Sequence, residues 1–310
     1  MQHARILGLT RRERHNILVG LGFAAPFLLG FLAFNFYPMA ASFYYSFTHY
    51  NALDPPRWIG LNNYRFLFTQ DDEFRQALSN TLYMVIVGVP AQLIVAFLTA
   101  LLLNVKIRGI AIYRTAYLLP AFMPIVPIAL LWQMMFNSDT GIVNLTLGSL
   151  GLPQPGWFTD PVWSKPGLIL LSLWTIGTTT IIYLAALQDV PEHLYEAAEL
   201  DGAGSLGRIW HVTLPMVSPA TLFNLITGMI ATFQIFGTAY VIGGSGNAGV
   251  GKPQGSLLFY LLYLWKSAFS YLRFGYASAM AWILFMIIMG CTVILLYGSR
   301  HWVYYEGEAG

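Results

Sequence analysis

This chain predicts an all-α membrane protein of six transmembrane helices, with a polar helical elbow set between the fourth and fifth. Three observations carry the prediction. Hydrophobic residues make up 56% of the 310 residues and charged ones 10%, against roughly 25% charged in an ordinary soluble domain. Six stretches, 17–38, 78–104, 115–137, 167–188, 216–242 and 275–297, contain no Asp, Glu, Lys or Arg, and each reaches the ~20 residues a helix needs to cross hydrocarbon. Between the fourth and fifth, residues 189–215 break the apolar pattern with Glu192, Glu196, Glu199, Asp201 and Arg208.

The elements follow in chain order. Residues 1–16 form a basic N-terminal segment carrying Arg5, Arg11, Arg12 and Arg14. The span after them resembles a secretory signal only in those flanking cations. Its apolar run is longer than a signal core and ends in no small-x-small cleavage pattern, so it stays as an anchor. Pro26, Pro90, Pro120, Pro124 and Pro127 fall within or at the start of spans; neighbouring helices must then satisfy the freed carbonyls, which predicts kinked helices in a bundle. Trp58, Trp157 and Trp163 in the loops are expected at the headgroup level, where an apolar ring with a polar edge is favoured. Asn144-Leu145-Thr146 is a glycosylation sequon to which no function attaches. Cys291, the single cysteine, sits in an apolar run and reads as an inert buried thiol. The six histidines show no metal-ligand spacing, and neither a catalytic residue nor a metal site can be assembled.

The run from Gly244 to Gly249 matches a dinucleotide fingerprint, and Gly246 to Lys252 part of a phosphate loop. Both read as accidents, since a fingerprint needs a preceding strand and Pro253 stands where a phosphate loop needs Ser or Thr. No cofactor is therefore expected on this chain. The net charge of +2 is too small and dispersed for a nucleic-acid partner. Basic residues crowd most densely into the short loops shared by both termini and the elbow, which places those segments, including the 298–310 tail, in the cytoplasm.

The elbow reads as helix, turn, helix. Asp189 is expected to cap a first helix with Glu192 completing the box. Gly202 supplies a position free of the Cβ penalty where the chain leaves that helix, and Ser205 is expected to cap a second one running to Leu214-Pro215.

Glu196-Ala197-Ala198, Asp201-Gly202-Ala203, Leu214-Pro215 and Pro219 together resemble the cytoplasmic EAA signature of bacterial ATP-binding-cassette importer permeases. Gly60-Leu61-Asn62-Asn63-Tyr64, Asn80-Thr81, Arg114 with Leu119-Pro120, Trp132 with Phe136, Gly141 with Asn144, and Gly275-Tyr276-Ala277-Ser278-Ala279 extend the resemblance over nearly the whole chain, to the carbohydrate branch and its maltose-type first permease subunit. The resemblance implies a type I importer permease fold. It assigns Glu196, Ala197, Ala198, Asp201, Gly202, Leu214 and Pro215 to coupling with an ATPase. It also implies a second homologous permease subunit in a heterodimer, an ATPase dimer that binds ATP and Mg, an extracellular or periplasmic solute-binding protein, and a bacterial or archaeal plasma (inner) membrane. Two positions depart from the pattern: Ile209, where many relatives carry an aromatic residue, and Phe236-Gly237, where Phe-Asp is common.

For the substrate path, Trp174, Asn224, Gln234, Tyr276 and Trp282 are the span residues able to offer hydrogen bonds or ring faces to a sugar. The uncharged spans favour a neutral solute over glycerol phosphate, with a polyol as a further alternative. A proton-coupled carrier is disfavoured because its spans would hold ionisable relays; a sodium-coupled carrier and a non-transporting scaffold are the remaining rivals.

Overall fold

The computed structural model describes residues 11–105, 107–244 and 251–304, with the side chains of Arg11, Glu13 and Arg14 excepted. Most of the glycine run after Gly244 lies outside them. Among the described residues, four helices are long and apolar enough to cross a membrane: His15–Ser46, Asp72–Leu103, Ser218–Ile242 and Phe274–Ser299. Two further candidate spans are bent pairs, Ile110–Phe122 with Ile125–Met135 at 99° and Pro161–Trp174 with Gly177–Gln188 at 51°.

The helices overrun the apolar stretches. The second begins at Asp72, six residues before its charge-free run, because Asp71 caps it by accepting from the Phe74 N–H at 2.9 Å. The third span, expected as one helix over 115–137, turns sharply at Met123-Pro124. Both residues are extended there, as a proline and the residue before it favour. The fifth span also breaks, between Phe233 and Gly237.

Prolines at three other places leave a different mark. The π turns Leu32–Phe36, Met84–Gly88 and Ile209–Thr213 each end two residues before a proline, Pro38, Pro90 and Pro215. In each, the N–H before the proline reaches back five residues, from Tyr37 to Leu32, Val89 to Met84 and Leu214 to Ile209. One extra residue in the turn relieves the pyrrolidine ring's clash with the preceding turn, so the helix continues where it would otherwise break.

Three apolar clusters stack along the bundle. At the elbow end, Ala96, Ala100, Tyr183, Leu187 and Val217 join the second, fourth and fifth spans. Met84, Ile128, Leu168, Ala239 and Phe259 fill the middle. At the opposite end Leu67, Phe74, Phe233, Tyr260 and Met280 pack together. Small helices Asn62–Thr69, Ile142–Ser149 and Tyr260–Trp265 and a two-stranded hairpin, Thr48–His49 with Arg57–Trp58, close that end.

Many residues that carry the family resemblance prove to be staples of this end. The Asn80 amide donates to the Gly255 and Leu258 carbonyls at 2.8 and 2.9 Å, and Thr81 Oγ1 accepts the Tyr260 N–H at 2.9 Å. The Asn63 amide holds the Ser46 and Thr48 carbonyls. Gly275 lies so close to the Thr48 carbonyl that any Cβ would overlap it. At the elbow end, the Arg114 guanidinium closes on the Leu103 carbonyl with two N–H groups at 3.1 and 2.8 Å, satisfying one of the carbonyls a helix end leaves open.

One expectation needs correction here, and the sequon proves to have a structural role. The sequon residue Asn144 is buried, 2% exposed, and its amide donates to the Ser138 and Pro155 carbonyls while Oδ1 accepts the Trp157 Nε1–H at 2.8 Å. It is a structural hub with no room for a glycan. Trp157 accordingly sits inside this loop, 8% exposed, instead of at the headgroups; Trp58, at 62%, is exposed. Asn144→Ala is expected to loosen residues 138–157 by about 3 kcal/mol, since three partners lose a buried bond. Amide hydrogen exchange should show lost protection there and none at the elbow.

Candidate functional site

The elbow forms as helix Glu192–Leu200, a glycine turn, and a second helix from Ser205. Its start differs from the expected one. Asp189 still belongs to the fourth span's last turn, its N–H bonding back to the Ala185 carbonyl, so it cannot cap, and the first helix begins after Pro191 with no side-chain cap. Gly202 holds the left-handed conformation, φ +81°. It lets the Ala203 N–H reach the Ala198 carbonyl at 2.9 Å and its own N–H reach Glu199 at 3.0 Å, the paired bonds that finish a helix at glycine. The second helix is entered through Gly204, and Ser205 is its first residue, not its cap.

Two contacts fix the angle between the two helices: Arg208 pairs with Glu199 at 3.2 Å, and the Tyr195 hydroxyl meets Thr213 Oγ1 at 3.1 Å. Within the second helix, His211 Nδ1 lies 2.9 Å from the Gly207 carbonyl. Glu196, Ala197, Asp201 and Gly202 are exposed, Ala198 is half-buried, and Leu214 and Pro215 lie half-buried where the second helix joins the fifth span. The sequence reading missed the elbow's exposed apolar set: Leu200 at 90%, Leu206 at 73% and Trp210 at 67% exposure. Trp210 supplies an aromatic one position beyond Ile209. Three large apolar side chains beside a turn rich in carboxylates make a surface suited to a protein partner.

The five path candidates are not gathered into one site. Trp174 ends the first half of the fourth span at its bend, 6.0 Å between ring centroids from Trp132, and Gln234 lies in the break of the fifth span, exposed. Asn224 is buried between the fourth and fifth spans, its amide 3.4 Å from the Thr179 carbonyl. Tyr276 is buried against Asp71. Trp282 donates to Ser42 Oγ at 3.1 Å and packs on Phe43, tying the last span to the first. The breaks themselves converge: a Cβ on Gly177 would lie 3.0 Å from Ala121, and one on Gly237 3.0 Å from Ile125. Beside them Trp132 stacks on Phe136 at 4.6 Å, its buried Nε1–H without a partner among the described residues.

Residues 72–303, from the second span to the end of the sixth, match the family of binding-protein-dependent transport system inner membrane components. The chain belongs to that family. This permease is 40% identical over 301 residues to the probable ABC transporter permease protein YesP of Bacillus subtilis (strain 168), with 96% of each chain covered. It is 33% identical to the lactose transport system permease protein LacF of Rhizobium radiobacter, covering 93% of this chain and 96% of that one. Its fold matches a chain of the bacterial alginate ABC transporter solved with an alginate pentasaccharide-bound periplasmic protein, at a TM-score of 0.79 and 23% identity over 94% of this chain and 96% of the other. The fold is the type I importer permease fold, and the chain is a transport component, not an enzyme.

Proposed function

We propose that this permease forms half of the translocation path of an ATP-driven importer for a neutral sugar or oligosaccharide, and that its elbow couples the path to an ATPase. The elbow carries the reading: an exposed Leu200–Leu206–Trp210 surface around the left-handed Gly202 has the shape and chemistry of a docking knob. In this arrangement Glu196, Ala197, Ala198, Asp201 and Gly202 meet the ATPase, and Leu214 and Pro215 pass its movement to the fifth span. ATP and Mg belong to an ATPase dimer, a second, homologous permease completes the path as a heterodimer, and a solute-binding protein delivers the cargo from outside. Both termini and the elbow then lie in the cytoplasm, and the hairpin end faces outward.

The cargo class rests on two supports. The charge-free stretches of all six spans suit an uncharged solute, because a charge within the membrane calls for a partner. Relatives 29–33% identical are named for lactose, arabinooligosaccharides and trehalose/maltose. The converging breaks bring the Trp132 and Trp174 rings within 6.0 Å of each other, the kind of discontinuous helix that lines transporter sites. Alternating access is then a shift between inward-open and outward-open arrangements of these broken spans, biased by ATP and the loaded binding protein.

The test is uptake into proteoliposomes holding the permease pair, the ATPase and the binding protein. The expected result is sugar uptake that requires ATP and all components, with the binding protein thermally stabilised by mono- or disaccharides. Stabilisation by glycerol phosphates or polyols alone would reassign the cargo, and gradient-driven uptake by this chain alone would overturn the coupling role.

A further inference from the structure

The end opposite the elbow carries a cavity of about 320 Å³ between the hairpin, the helix Asn62–Thr69 and the start of the last span. Most of its polar lining is already occupied. Thr48 Oγ1 donates to the Tyr45 carbonyl, the Asn63 amide to Ser46 and Thr48, and the Tyr276 hydroxyl to Asp71. Two cationic or ionisable groups remain unspent: the Arg273 guanidinium, whose nearest recorded partner is the Tyr271 ring at 5.7 Å, and the His49 imidazole. Among the described residues no carboxylate pairs with either, although Arg75, Arg208 and Lys266 each have one. Arg57 stands directly across the hairpin from His49, adding a third exposed positive or ionisable group at the rim, while Phe66 and Tyr50 form apolar walls.

From this geometry we propose that the cavity receives an acidic side chain of the solute-binding protein, with Arg273 as its anchor. The inference rests on the importer reading, which puts this end outside. At about 320 Å³ the cavity has room for a single side chain to enter with its charged end. An arginine in an aromatic-walled recess suits a carboxylate, since the planar fork donates to both oxygens at once. A charge at a docking surface chiefly raises the association rate and makes it depend on salt.

The experiment titrates the assembled transporter in nanodiscs with its solute-binding protein and follows stimulated ATP hydrolysis. For Arg273→Gln the half-saturating concentration of binding protein is expected to rise about tenfold, for Arg273→Glu further, and for Arg273→Lys only about twofold. Half-saturation in the wild type should also weaken as NaCl rises from about 50 to 300 mM, a dependence the glutamine variant largely loses. Wild-type titration by the glutamine and glutamate variants would overturn the proposal. If neither variant assembles, a salt-independent wild-type titration overturns it. Direct binding of free glucuronate to transporter lacking the binding protein, lost in Arg273→Gln, would assign the cavity to a solute and overturn it as well. No stimulation of the wild type by any loaded binding protein would strike the importer reading instead.

Discussion

Gly202→Val is expected to reduce ATP-driven uptake roughly tenfold or more while the spans remain folded. The space around Gly202 is open, with no atom within 4 Å of a built Cβ, so the penalty is not a clash with neighbours. It lies in the backbone: φ +81° costs an L-residue about 1–2 kcal/mol, and a β-branched one more. The chain escapes by leaving that conformation, which breaks the Ala203-to-Ala198 bond and re-aims the second elbow helix. Gly202→Asn, which tolerates the left-handed region, should keep most of the uptake. Co-purification of the ATPase subunit and uptake into proteoliposomes measure both effects, and full uptake by the valine variant would sink the coupling role of the elbow.

The largest loss of stability is expected from Asp71→Ala. Asp71 is 6% exposed, and one carboxylate serves three donors: the Phe74 N–H on Oδ1, and on Oδ2 the hydroxyls of Tyr263 at 2.6 Å and of Tyr276. Burial first, and then the hydrogen bond to Asp71, holds the Tyr263 hydroxyl well above the usual phenol range, so it stays a donor. Removing the carboxylate costs a helix cap, about 1 kcal/mol, and leaves two tyrosine hydroxyls unsatisfied at about 1–3 kcal/mol each. A sum of about 3–7 kcal/mol should lower the thermal midpoint in detergent clearly, and Asp71→Asn, which retains an acceptor, should lose less. An unchanged midpoint for the alanine variant would refute the staple.

Asp71 also marks the limit of what the sequence discloses. The spans were legible because a charge-free run of about 20 residues has few other uses, and Gly202 was legible because a helix followed by Gly in a polar loop has one economical geometry. Asp71 reads as one more loop carboxylate until the fold brings Tyr263 and Tyr276 to it from 192 and 205 positions away. Asn144 shows the same limit: its sequon is local, whereas its burial depends on Trp157 folding back over it. Asp189 has the right neighbours for a cap, yet the preceding helix claims it first. Among the path candidates, Trp282 is committed to Ser42 and the first span, a pairing that no local pattern announces. The exposed Leu200, Leu206 and Trp210 have no local signature, because such a surface is defined by what the fold leaves uncovered.

The π turn before Pro215 has a consequence for how motion travels. An α-helix advances about 100° per residue, so the extra residue within Ile209–Thr213 indexes everything upstream by about a quarter turn relative to the fifth span. Leu206 therefore faces a direction fixed by that insertion, much as a key fixes a gear on its shaft. The helix passes through the turn unbroken into Leu214–Met216 and resumes at Ser218 after a single turn residue, Val217, so that residue is the joint between the elbow and the fifth span.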